Sequence, residues 1–144
     1  MKYQIVSERK SRYSCKISNP ADAYKLLTRY HNKRKEHFLV LTLDGNHNVI
    51  RVVIVSIGIA NRTLVHPREI FFPAIKDNSC AIILAHNHPS GNTEPSIEDR
   101  EITTRLCKAG EILGISILDH MIITKNGYYS FLEEGDTSLI NHNK

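Results

Sequence analysis

Apolar positions change period several times along the chain, and each change marks an element. HFLVLTLD (37–44) and VIRVVIVSIGIA (49–60) are rich in β-branched and apolar residues and flank the turn cluster GNHN, which predicts a hairpin. CAIILA (80–85) is apolar without alternation, the pattern of a central strand covered on both faces. ISIL and MIIT predict strands around Asp119-His120, Asn126-Gly127 a hairpin turn before YYSFLEEG, and KYQIV a short strand near the start. Helical spacing takes over elsewhere. Ser18 or Asn19 can cap, Pro20 suits a first helical position, and Ala23, Leu26, Leu27 and Tyr30 recur on one side. Pro67 opens a short helix with Ile70, Phe71, Ala74 and Ile75 on one face, and Pro73 is expected to distort it. From Ser96, a stripe of Ile102, Leu106, Ala109 and Leu113 runs to Gly114, which is placed to end the helix. TSLINHNK reads as a short polar tail. The pattern predicts an α/β or α+β domain with a mixed sheet flanked by helices.

Length and composition narrow the class. The 144 residues suit one domain, 1–144, and 41% hydrophobic with 24% charged residues is ordinary for a soluble protein. The longest apolar stretch is interrupted by Arg51 and too short to span a bilayer, which excludes a membrane segment. Residues 1–16 mix charge and polarity and lack the apolar core of a secretory signal, so a cytoplasmic location is expected. Cys15, Cys80 and Cys107 form no CxxC pair and read as reduced and mostly buried, not as a disulfide framework or a thiolate zinc site. The net charge of +4 is modest and concentrated in KSRYSCK and TRYHNKRK; a solvated basic face explains it as readily as nucleic-acid contact.

Candidate chemistry centres on AIILAHNHPSGNTEPSIED, where the buried strand ends on two histidines separated by one residue. Side chains at i and i+2 of an extended segment share a face, so His86 and His88 can converge on one point. Pro89 confines His88 to extended angles. A zinc ion that does chemistry typically takes three protein ligands and leaves a fourth position open. If Ser96 caps the following helix, Asp99 lies in its first turn and faces back toward the strand end, giving H-x-H-x10-D. The same Ser96-x-x-Asp99 spacing is also an ordinary capping box, and HNH alone is compatible with a polar loop. Together they form a ligand set that suits zinc better than calcium or a thiolate-selected metal. His37, His47 and His66 have no ligand spacing around them, and Asn87, Ser90 and Gly91 read as residues that shape the loop.

HNHPSGNTEPSIED resembles the JAB/MPN metalloprotease signature, in which a distant Glu precedes H-x-H-P and then S-x-x-D. EHFLVLTLD, REIFFPAI, AIILAHNHPSG, PSIEDREIT and LGISILDHMIIT resemble its RadC branch, over about residues 34–135. The resemblance implies a cytidine-deaminase-like JAB/MPN fold with one Zn2+ per chain on His86, His88 and Asp99. It also implies Glu36 as general acid/base and Ser96 as a donor to the oxyanion. On composition alone, Glu36 reads as a solvated carboxylate after KRK; the resemblance reverses that preference. Capping and oxyanion binding would compete for the one Ser96 hydroxyl. Asp119 and His120 are candidates either to orient a ligand from behind or to bridge backbone segments. RadC proteins commonly begin with a helix-hairpin-helix region, for which the segment before Glu36 leaves no room.

Two functions follow. The first is a zinc-dependent metallopeptidase or isopeptidase-like hydrolase acting on a peptide or protein. The second is a non-enzymatic module associated with DNA repair or recombination, supported only by the basic N-terminal portion. Zinc deaminase chemistry is disfavoured because no PCxxC follows the histidines. Oligomeric state is open, with an exposed edge of the HFLVLTLD hairpin as a surface on which another chain could pair.

Overall fold

The computed structural model describes residues 15–58 and 65–140. KYQIV and the last residues of the tail lie outside them. The first helix, α1 (Pro20–Leu26), starts at an Asn19 cap whose side chain accepts the Asp22 N–H while the Asp22 carboxylate accepts the Asn19 N–H. The hairpin forms as expected from β1 (His37–Leu43) and β2 (Val49–Ile57). Then come α2 (Pro67–Lys76), β3 (Ala81–Asn87), α3 (Ile97–Leu113), β4 (Ser116–Thr124) and β5 (Gly127–Ser130).

The strands make one mixed sheet in the order β2-β1-β3-β4-β5. Only β3 and β4 are parallel, and α3 supplies the crossover that a parallel pair requires. Every residue of β3 is buried, as the unalternating CAIILA run predicts. On one face Phe38, Val40, Ile82 and Leu84 pack against Ile70, Phe71 and Ala74 of α2 and Ile102, Leu106 and Cys107 of α3. On the other, Leu39, Leu41, Ile83 and Ala85 meet Ala23 and Leu27 at α1. Each such Leu, Ile or Phe contributes on the order of 1.5–3 kcal/mol of burial, so the end of β3 is a rigid platform.

Three expectations need correction. ISIL and MIIT are one continuous strand, β4, whose bulge at Leu118 carries it past Asp119-His120. Ile82 pairs with Ile117 but Ile83 pairs with Asp119, so the extra residue reverses the alternation and turns His120 to the face that carries His86. The helix stripes are also rotated. Pro73 is buried in α2 while Ile75 is 58% exposed, and in α3 Thr103, Cys107 and Gly110 are buried while Leu113 is 49% exposed. Gly110 is required there, because a Cβ would collide with the Ile115 carbonyl and press on the Phe71 ring. Of the cysteines, all free, only Cys107 is buried; Cys80 is exposed. Among the described residues no helix is long and apolar enough to cross a membrane.

Candidate metal centre

His86 is the penultimate residue of β3, His88 follows the strand, and Ser96, eight residues beyond His88, is the N-cap of α3. The capping box is reciprocal: the Ser96 Oγ accepts the Asp99 N–H at 3.0 Å and the Asp99 Oδ2 accepts the Ser96 N–H at 2.9 Å. Capping uses Oγ as an acceptor, and its O–H proton remains a donor, so the expected competition between two roles does not arise. The cap also aims Asp99. Its Oδ1 lies 3.3 Å from His86 Nε2 and its Oδ2 lies 3.3 Å from His88 Nε2.

The imidazole protons can be assigned from the carbonyls around them. Thr103 Oγ1 and the Asp99 carbonyl oxygen are 2.6 Å apart, a distance that needs a proton, and only the hydroxyl can supply it. Thr103 therefore accepts from His120 Nδ1 at 2.5 Å, leaving His120 Nε2 to accept from His86 Nδ1 at 2.8 Å. On the other ring, His88 Nδ1 donates to the Asn92 carbonyl at 2.7 Å. The two Nε2 atoms stand 3.0 Å apart, and each lies 3.3 Å from an Asp99 oxygen. With both rings neutral these would be three acceptors together, so the cluster calls for a cation, either a proton on a ring or a metal ion.

The titration behaviour agrees with this picture. Burial opposes ionisation of Asp99, but His86 and His88, with the Ser96 N–H, outweigh it and hold the carboxyl far below the usual range. Burial likewise opposes a charged His88, yet Asp99, the Asn92 carbonyl and Glu36 together raise its pKa. Glu36 precedes β1 and approaches from the open side, with Oε1 4.0 Å from His88 Nε2. Ligand atoms of Glu36, His86 and His88 all lie within 4.8 Å of one another. Asp99 touches both imidazoles at 3.3 Å and is almost fully buried, whereas Glu36 stands farther off, 4.0 Å from the outer ring, and is partly exposed. Two imidazole nitrogens with the carboxylates of Asp99 and Glu36 in reach of them are a donor set of the kind that can hold a metal ion such as zinc.

Asp119 and His120 make different contacts. His120 stacks on Phe131 and its Nε2 faces His86 Nδ1, fixing the tautomer of that ring. Asp119 bridges backbone, accepting from the His120 and Leu132 N–H groups at 2.8 and 3.0 Å and from the Ser130 hydroxyl. Sequence reasoning missed Thr103, although its position four residues after Asp99 on α3 places it on the same helical face. It also read Asn87 as a loop residue. Asn87 is the buried last residue of β3, with its amide bonded to the backbone at Lys33, Lys35 and His37.

Comparison with known proteins accords with this geometry. Residues 17–136 match the model of the RadC-like JAB domain. A "UPF0758 protein" of Trichlorobacter lovleyi is 55% identical over 104 residues, which are 72% of this chain and 45% of that protein. One from Geobacter sulfurreducens is 44% identical over 139 residues, 94% of this chain and 59% of its own length. One from Thermotoga maritima is 44% identical over 121 residues, 84% of this chain and 54% of the relative. The chain thus spans about half the length of these curated relatives. With the match running from before α1 to beyond β5, the chain belongs to the RadC-like JAB domain family.

Proposed function

We propose that the protein is a zinc-dependent hydrolase that cleaves an amide bond in a peptide or protein. The observation that carries this reading is the convergence of two imidazole Nε2 atoms and Asp99 beneath a second carboxylate, Glu36, on the open side. His86, His88 and Asp99 hold the ion, and His120 and Thr103 fix the orientation of His86 from behind. Zinc bound there would supply Lewis acidity and make hydrolysis by water accessible near neutral pH. Glu36 Oε1 takes a proton from the attacking water and passes it to the departing amine, a role that needs a carboxylate near, but not among, the ligands. The Ser96 hydroxyl, with its oxygen engaged in the cap, donates to the tetrahedral oxygen of the substrate.

The test is elemental analysis of protein purified without a histidine tag or chelator, beside His88→Ala and Asp99→Ala variants, followed by hydrolysis assays on a broad peptide library. About one zinc per chain, lost in both variants, and zinc-dependent cleavage are the expected results. A parent protein that takes up no zinc when incubated with it overturns the reading. Salt-dependent DNA binding that survives loss of the ligands would instead favour an interaction module.

A further inference from the structure

The middle residue of the H-N-H triplet faces away from its neighbours. Strand alternation puts Asn87 on the side of the sheet opposite His86, where it is fully buried. Its Oδ1 accepts the His37 N–H at 2.6 Å, and its Nδ2 donates to the carbonyls of Lys33 and Lys35, each at 3.1 Å. Two carbonyls can only accept, so the orientation of the amide is determined. These backbone groups lie on both sides of Glu36, whose own carbonyl accepts the Gly58 N–H at 2.7 Å. Burying such groups without partners would cost about 1–3 kcal/mol each, so the bonds are retained.

We infer that Asn87 is a positioning residue for Glu36: one strand end delivers the ligand His86 to the metal side and, through the next residue, clamps the backbone that sets the carboxylate's reach. The side chain is suited to the task. Aspartate keeps the acceptor for His37 but turns a carboxylate oxygen toward two carbonyls; alanine loses all three bonds. The inference rests on the proposed role of Glu36, and the experiment separates the two.

The parent, Glu36→Gln, Asn87→Ala, Asn87→Asp and the Glu36→Gln/Asn87→Ala double variant are compared. Three readouts apply: hydrogen exchange of the His37 amide in metal-free protein, zinc affinity by chelator competition, and the visible spectrum of the cobalt(II) form. Asn87→Ala should speed His37 exchange more than about tenfold while β3 amides stay protected. It should weaken zinc binding to about the same degree as Glu36→Gln, on the order of tenfold, and move the cobalt bands the same way. The double variant should be no weaker than the poorer single one, because both act through one carboxylate; a merely structural loss would multiply. Asn87→Asp, the variant closest in shape, should keep His37 protected yet share the metal phenotype. Unchanged His37 exchange in Asn87→Ala, or parent-like metal readouts beside an altered Glu36→Gln, overturns the inference, as does a multiplicative double variant. If the parent binds neither metal, the proposed function falls, and the His37 amide alone decides whether the clamp exists.

Discussion

Asp99 and Glu36 face the same pair of imidazoles, but they are held there by different means. Asp99 is aimed by its own neighbourhood, through a capping box that closes within three residues at the start of α3. Glu36 sits in irregular chain before β1, and its flanking backbone is tied to Asn87, fifty and more residues away. The inner carboxylate is almost fully buried and rigidly placed, while the outer one stays partly open to solvent. The difference matches the roles proposed for them. A ligand has to be preorganised against charge repulsion, and a proton carrier has to reach water and a leaving group in turn.

The comparison breaks most completely if the inner carboxylate is removed. Asp99→Ala should lower zinc affinity more than about 100-fold, beyond the range of changes outside the ligand set, and abolish hydrolysis; metal content after dialysis reads it directly. Glu36→Gln should behave differently, retaining zinc within about tenfold while hydrolysis falls roughly 10²–10⁴-fold. If the two variants lost metal equally, Glu36 would be a ligand and the division of labour would fail.

A third carboxylate sharpens the contrast. Asp119 is as buried as Asp99, but hydroxyl and amide donors surround it in place of imidazoles, so burial wins and pushes its pKa up to about 6, against the bonds from Ser130, Leu132 and His120. Between its ordinary value of 3.8 and about 6 the folded protein keeps a proton that the unfolded chain has lost. The resulting stability is full below 3.8 and disappears as pH rises through about 6, amounting to about 3 kcal/mol at most. Asp119→Asn should flatten this decline in denaturant melts across that pH window. The smallest effects belong behind His86. His120→Ala should weaken zinc about 10–100-fold, and Thr103→Val, which keeps the shape but removes the hydroxyl that sets the tautomer, by a factor nearer the lower end. Isothermal titration with zinc separates them.

What could be read from the sequence follows the same division between local and distant restraint. The Ser96 cap, the Asn19 cap, the Gly114 stop and the buried β3 are each determined within a few residues, and the residue pattern shows them. The candidate site shares that legibility as far as its placement goes, since His86, His88 and Asp99 hang on one strand end and one helix start. Which side of a helix is buried depends on partners far along the chain, and there the pattern misled. Ile75 and Leu113 looked like core, whereas Pro73 and Gly110 lie inside because α2 and α3 pack closely at Phe71. Asn87 was invisible for the same reason: its partners belong to a segment that only the folded sheet brings near.

The bulge at Leu118 gives β4 one residue more than the sheet register uses. Deleting Leu118 would close the bulge and leave Ile117 opposite Ile82, Asp119 opposite Ile83 and His120 opposite Leu84, so the imidazole would stay behind His86. Alignments of relatives that place a one-residue gap there would equate residues on the same face, and strand-grafting designs have a residue to spare at Leu118.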